Sequence, residues 1–222
     1  MARSAIRKPR RKGPDRYHHG DLRKALLEEA VRTIQAQGVE RLTLRGIGDS
    51  LGVSRTALYR HFSDKAALLE EVAREGFRLL REKLVRAWEE GGGGLEGFEA
   101  MGLAYVRFAL QNPSHYRVMF GGFLGSREPQ GALEEEGRAA FRALVDALIA
   151  LQKAGLARPD DPLPLAHFIW ATVHGISMLA IDGLMAGKGS DVLELARYAN
   201  GRILDGVAAA SGKDPRASMA SR

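Results

Sequence analysis

The stretch Thr43 to Lys65 (TLRGIGDSLGVSRTALYRHFSDK) constrains this chain more than any other. It holds two short helical patterns and the start of a third. Thr43 is placed to cap the first, Leu44 to Leu51, in which Leu44, Ile47 and Leu51 recur at helical spacing. Gly52 tolerates the left-handed conformation that a sharp exit needs, and Val53 plugs the turn. Ser54 caps a second helix, Arg55 to His61, too short and too polar for a core element. Its Ala57 and Leu58 pack inward while Arg55, Thr56, Tyr59 and Arg60 look out. Ser63 then caps a third, long helix with Lys65 in its first turn. A cation at that end opposes the helix dipole. It makes sense where an anion docks, because free N–H groups and a lysine together form a phosphate site. Two short helices joined by a Gly-containing turn, the second displaying hydrogen-bonding side chains, describe a helix-turn-helix. The plainer alternative is a helical hairpin with a solvated face.

Charge separates the two ends of the chain. The net charge of +6 conceals fifteen Lys/Arg against seven Asp/Glu in residues 1 to 65, and eighteen against twenty beyond. One end is suited to a polyanion and the other is not. DNA, RNA and an acidic membrane surface all satisfy the charge; the helix-turn-helix selects double-stranded DNA.

The segment TLRGIGDSLGVSRTALYRHFSDKAALL resembles the TetR family of bacterial transcription regulators. The resemblance rests on the Thr-Leu-Arg opening, the Gly-Val-Ser turn, the Leu-Tyr-Arg-His-Phe recognition helix, and Lys65 followed by Leu68–Leu69. It is dense over about residues 16 to 70; beyond that, such proteins share architecture rather than motifs. The preceding YHHGDLRKALLEEA, with Trp170 and His174–Gly175, resembles a branch of the family named for a Trp-His-Gly signature. Gly46 and Gly48 depart from the pattern. Each costs about 1 kcal/mol against alanine in a helix interior, and the family often has Ala at the position of Gly48. Either close packing requires glycine there or this helix is marginal before DNA binds.

The remaining chain reads as helical. Met1 to Pro14 has six cations, no acid and two prolines, which suits an arm along phosphates or in the minor groove, or a solubilising tail. Asp21 to Gln37 is the first helix, with Leu22, Leu26, Ala30 and Ile34 as its stripe. Tyr17 and His18 approach the DNA backbone if the resemblance holds, and adjacent His18–His19 point apart on a helix start, against a metal pair. Lys65 to Glu90 is a long amphipathic lever between two domains. Gly91 to Gly94 reads as a linker, since neither a preceding strand nor a following Lys-Ser/Thr makes it a phosphate loop. Helices follow over Leu95–Gln111, His115–Leu124, Ala132–Ala154, Leu163–Ala186 and Asp191–Ala209. The fourth of these is apolar nearly all round and must be covered on every side; its His167, His174 and Asp182 argue for burial rather than a membrane span. The fifth carries Val192, Leu195, Ala199, Ile203 and Val207 as a stripe.

The expected fold is all-α: a basic arm (1–14), a three-helix helix-turn-helix DNA-binding domain (15–66), an antiparallel helical ligand-binding and dimerisation domain (67–210), and a disordered tail (211–222). With no cysteine, disulfides and cysteine-zinc sites are excluded. No nucleophile–base spacing, paired metal motif or nucleotide loop supports an enzyme, and no metal or cofactor is expected. Without an apolar leader at the basic N-terminus, the expected location is cytoplasmic.

The resemblance implies a homodimer whose last two helices form a four-helix bundle with a second copy. It also implies two recognition helices on a palindromic operator. Arg55 and Thr56, with Ser54, are assigned to base edges or nearby phosphates. Thr43, Tyr59, His61 and Lys65 are assigned to phosphates, with Arg45 and Arg60 completing the DNA-facing set and Tyr59 alternatively packing in the bundle. Phe62 is assigned to the core. A small hydrophobic effector would sit among Trp88, Met101, Tyr105, Phe108, Tyr116, Phe120, Phe141, Trp170 and His174, residues that otherwise read as plain core. His174 is the first candidate for a polar handle and His167 the second. Repression relieved by ligand is the family's usual sign. The alternative is a constitutive DNA-binding protein whose second domain only dimerises.

Overall fold

The computed structural model describes residues 19–124, 131–185 and 189–208. They form helices α1 (His19–Gln37), α2 (Leu44–Leu51), α3 (Arg55–Tyr59), α4 (Lys65–Glu90), α5 (Leu95–Gln111), α6 (Pro113–Phe120), α7 (Ala132–Lys153), α8 (Pro162–Ile181) and α9 (Gly189–Val207). Among the described residues there is no strand, only an isolated antiparallel bridge between Ala157 and Ala208. The expected basic arm, the tail, Tyr17 and His18 lie outside the described residues.

Helix α2 follows from its caps. Thr43 Oγ1 accepts the Gly46 N–H at 3.0 Å, and Gly52 turns left-handed (φ 65°) so that Val53 N–H reaches Gly48 O at 2.9 Å. Gly48 is buried, and a Cβ there would lie 3.0 Å from Leu58 Cδ1. Close packing of α2 on α3 therefore accounts for that glycine. Gly46 is exposed, and a Cβ there would lie 3.0 Å from the capping Thr43 Oγ1, so the cap leaves little room for one.

Several boundaries differ from the sequence expectation. Helix α3 stops at Tyr59 rather than His61, because His61 and Phe62 both donate to Leu58 O and the turn drives Phe62 into the core at 3% exposure. The cap of α4 is Asp64, not Ser63: its Oδ1 accepts the Ala67 N–H at 2.8 Å. A carboxylate there also complements the helix dipole, which a hydroxyl does not. Helix α6 begins at Pro113, whose missing N–H costs nothing in a first turn, and ends at Phe120 rather than Leu124. Helix α8 ends at Ile181, five residues before Ala186, where Gly183 turns left-handed (φ 69°) and Leu184 N–H closes on Leu179 O.

The run Gly91–Gly94 is a tight turn, not a flexible linker. A Cβ on Gly91 would lie 2.5 Å from Gly97 Cα, and Gly92 and Gly93 are left-handed. The turn brings α5 back along α4.

Two cores share α4. At its start Leu68 and Val72 join Leu26, Ala30, Ile47 and Leu58 of α1–α3. Further along, Leu80 and Leu84 meet α5 and α7. Helix α6 packs on both α1 and α4, and Gly76 makes this approach close: a Cβ there would lie 2.5 Å from Met119 Sδ.

Helix α8 is long and apolar enough to cross a membrane, yet it lies against α5, α7 and α9 with Ala166, Ile169, Val173 and Ser177 buried. It is not covered on every side within one chain. Phe168 (60% exposed) and Leu179 (46%) are exposed on α8, as are Leu195 (38%) and Tyr198 (65%) on α9. The buried stripe of α9 is Val192, Ala196, Asn200, Ile203 and Val207; of the expected stripe, Leu195 is exposed and Ala199 half-buried. A stripe chosen for apolar residues steps around an asparagine.

Candidate nucleic-acid interface and internal cavity

The outer face of α2 and α3 carries the hydrogen-bonding side chains. Thr43 and Ser54 are exposed, but each hydroxyl oxygen already accepts a helix N–H (from Gly46 at 3.0 Å, from Ala57 at 3.3 Å). Arg45, Arg55, Thr56 and Arg60 are exposed. Arg45 pairs loosely with Asp49 at 3.6 Å, and the Arg55 guanidinium lies 5.5 Å from the centre of the Tyr59 ring. Tyr59 is 45% exposed, which sets it on the outer face rather than in the bundle. His61 is half-buried. Lys65 is committed elsewhere: its Nζ donates to Val39 O at 2.7 Å and Glu40 O at 3.2 Å. That ammonium fastens the α1–α2 connection to α4 and has one of its three N–H bonds left for an anion.

Behind this face a charged network joins α1 to α4. Arg23 Nη1 donates to Glu71 Oε1 at 2.8 Å, and Arg74 Nε donates to Glu71 Oε2 at 3.0 Å. The Arg23 hydrogen bond leads in holding the Glu71 carboxyl down at about 2. Next to it His115 of α6, 8% exposed, donates from Nε2 to Glu75 Oε2 at 3.5 Å, and this bond lowers the Glu75 pKa. The contact ties α6 to α4 one turn from the α1 network.

The helices of the second half leave a cavity of about 270 Å³ between α4, α5, α6, α7, α8 and α9. Of the expected pocket residues, Met101, Tyr105, Phe120, Phe141 and Trp170 line it. The other four do not. Phe108 and Tyr116 are core side chains, 2% and 0% exposed. Trp88 covers the glycine turn, with ring atoms 3.6–3.7 Å from where a Gly93 Cβ would be. His174 stands behind the wall, its Nδ1 held by Tyr116 Oη at 2.6 Å and Tyr105 Oη at 3.2 Å. His167 does reach the cavity, at its exposed rim. Phe77, Phe98, Gly102 and Asn200 line it too and were not among the expected residues.

The polar groups behind the wall form one chain of donors. Trp170 Nε1–H donates to Tyr105 Oη at 3.0 Å. Tyr105 and Tyr116 hydroxyls are 3.0 Å apart. Each hydroxyl donates once, so Tyr105 donating to Tyr116, and Tyr116 to His174 Nδ1, gives each hydroxyl proton an acceptor. Burial pushes the Tyr105 phenol up to about 12 and the Tyr116 phenol higher, and lowers His174. All three are neutral near pH 7. The aromatic wall is continuous: Phe120 meets Phe77 edge-on at 5.4 Å and Trp170 at 6.2 Å, and Trp170 meets Phe141 at 5.9 Å.

Comparison with known proteins aligns with this division. Residues 26–72 match the model described as "Bacterial regulatory proteins, tetR family", and residues 98–200 match "Tetracyclin repressor-like, C-terminal domain". A solved protein of unknown function from Rhodococcus sp. RHA1 is 35% identical, with a TM-score of 0.78 over 87% of this chain and 99% of that one. The nucleoid occlusion factor SlmA of Vibrio vulnificus is 30% identical over 100 residues, 45% of this chain and 51% of that protein. The match thus spans about half the length of that relative. The class C tetracycline repressor of Escherichia coli is 41% identical over 51 residues, 23% of each chain.

Proposed function

We propose a function from one premise: the chain belongs to the TetR family of DNA-binding transcription regulators. Its fold and family are those of regulators and not of enzymes. In our reading it is a cytoplasmic homodimer that represses from a palindromic operator and is released by a small hydrophobic ligand. Residues 15–66 form the DNA-binding domain and residues 67–210 the ligand-binding and dimerisation domain.

The observation that carries this reading is the cavity, lined almost wholly by apolar side chains and touching α4, the helix that begins in the DNA-binding half. A constitutive DNA-binding protein has no use for such a space, since unfilled volume in a core costs stability. The exposed apolar side chains of α8 and α9 support dimerisation through those helices, because a second copy would cover Phe168, Leu179, Leu195 and Tyr198. Such cover also explains an apolar α8 without a membrane.

On DNA, Arg55 and Thr56 read base edges. Arg45, Tyr59, Arg60 and His61 hold phosphates, with Thr43 and Ser54 setting the two helices that present them. Lys65 contributes its remaining N–H. A ligand that favours one arrangement of the cavity shifts the population toward it. Displacing Phe120 moves α6, which packs on α1 and α4, and the recognition helices of the two copies then lose their operator spacing.

Selection and sequencing of genomic fragments bound by the full chain at physiological salt tests this function. One palindromic site is expected. Recovery of no consensus, with affinity that collapses as salt rises, would mean phosphate binding alone and would remove Arg55 and Thr56 from base reading.

A further inference from the structure

The cavity that the proposed function treats as the ligand site has a single buried amide in its wall, and that amide is underused. Asn200 is 5% exposed, and its Nδ2 donates to Glu99 O at 3.2 Å. That bond fixes which way the amide faces, because Oδ1 turned toward a carbonyl would be repelled. Among the described residues, Oδ1 and the second N–H have no partner. The amide occupies space that only a glycine leaves open: a Cβ on Gly102 would lie 2.5 Å from Oδ1. Of the other polar groups nearby, the Trp170 N–H is given to Tyr105, the Tyr105 hydroxyl proton goes to Tyr116, and His167 meets Leu163 O through Nδ1 at the exposed rim.

We propose that this cavity selects an uncharged ring compound carrying a hydroxyl, with the hydroxyl read by Asn200. This rests on the cavity being the ligand site. Size sets the first limit. An apolar cavity of about 150 Å³ holds benzene, so 270 Å³ suits roughly ten to fifteen non-hydrogen atoms by the same packing. Charge sets the second. Among the described residues no Lys, Arg, Asp or Glu lines the cavity and its one imidazole, His167, sits at the exposed rim, so a carboxylate or ammonium held at the Asn200 end would lose its water without gaining a charged partner. Shape sets the third, since Phe77, Phe120, Phe141 and Trp170 offer edges and faces to a flat ring. Polarity sets the last. A hydroxyl donates to Oδ1 and accepts from the free Nδ2–H, satisfying both halves of the amide; a ketone satisfies one and a hydrocarbon neither.

Three probes of one shape test the proposal: naphthalene, 2-naphthol and 2-naphthoate, titrated at pH 7.5 against the full chain. Trp170 fluorescence is the readout, in a Trp88→Phe background that keeps every lining residue. The naphthol is expected to bind about tenfold or more tightly than the hydrocarbon, the worth of one buried hydrogen bond, and the naphthoate weakest. Asn200→Leu keeps the branched shape, adds some bulk and removes both polar ends, and is expected to bring naphthol down to the affinity of naphthalene. Gly102→Ala, which displaces the amide and leaves it intact, is expected to do the same. Equal binding of naphthol and naphthalene by the unmodified chain, tightest binding of naphthoate, or an Asn200→Leu variant that keeps its preference overturns the ligand class while leaving the cavity as the site. No saturable signal from any of the three overturns the cavity reading, and the class with it.

Discussion

The two halves of this molecule place function on opposite sides of their helices. In α2 and α3 the informative side chains, Arg55, Thr56 and Tyr59, are the ones packing leaves over, and they lie within five residues of one another. In the second half the informative side chains are packed ones, and what distinguishes them is the space that α4, α5, α6, α7, α8 and α9 fail to fill. A reading surface follows from local spacing. A sensing surface follows from where distant helices stop short of each other.

The comparison breaks most visibly at the face proposed to join two copies. Phe168→Glu with Tyr198→Glu is expected to give a monomer by sedimentation velocity. Operator affinity is expected to fall by about a hundredfold or more, as each reading head then binds alone; a dimer with full affinity would place the interface elsewhere. Next in size, Arg55→Ala is expected to cost about 1–3 kcal/mol of operator binding and to relax selectivity at one base position, measured by competition between operator variants. Equal weakening on every sequence would reduce Arg55 to a phosphate contact.

The charged joint between the halves has a pH signature. The Glu71 carboxyl is lowered from 4.5 to about 2, so the stability it contributes is fully present above pH 4.5 and is lost as pH falls through about 2. Glu71→Gln is therefore expected to cost about 1–2 kcal/mol at neutral pH, after allowing for solvent around the arginines. Denaturant titrations should show a flatter decline between pH 4.5 and 2 than in the unmodified chain. The smallest effect concerns Lys65. Its bonds to Val39 O and Glu40 O predict that Lys65→Met lowers the melting temperature by a few degrees and the salt slope of DNA binding by less than one unit. A full unit of slope with unchanged stability would return it to the phosphate contacts.

The same contrast explains what was legible in the sequence. Leu44, Ile47 and Leu51 with Thr43 and Gly52 mark α2 to the residue, because caps and stripe are contiguous. Composition does not separate Asp64 from Ser63 as the cap of α4, because the two adjacent residues are equally good candidates. In the second half, helical spacing says that Tyr105, Phe108 and Tyr116 face inward but not whether a neighbour or a void meets them; only Tyr105 meets the void. Asn200 shows the limit most clearly. Val192, Ala196, Ile203 and Val207 place position 200 on the buried side, and an asparagine in that register was the available signal. An apolar reading shifts the stripe to Leu195 and Ala199 and hides it. Gly102 carries no signal of its own, since its meaning depends on a residue 98 positions away.

The central claim is that the state of the cavity sets the affinity for DNA, and filling the cavity from within tests it without a ligand. Gly137 lines the cavity, and a Cβ there would stand in ordinary contact with the Phe77 ring at 3.9 Å, so Gly137→Leu adds its side chain at the cavity wall without a clash at Cβ. The variant is expected to melt higher than the unmodified chain, since it fills a void and removes a glycine from a helix. Its affinity for the selected operator is expected to fall by about tenfold or more, the scale of an ordinary coupling energy. A more stable protein that binds its operator as tightly as before would contradict the account.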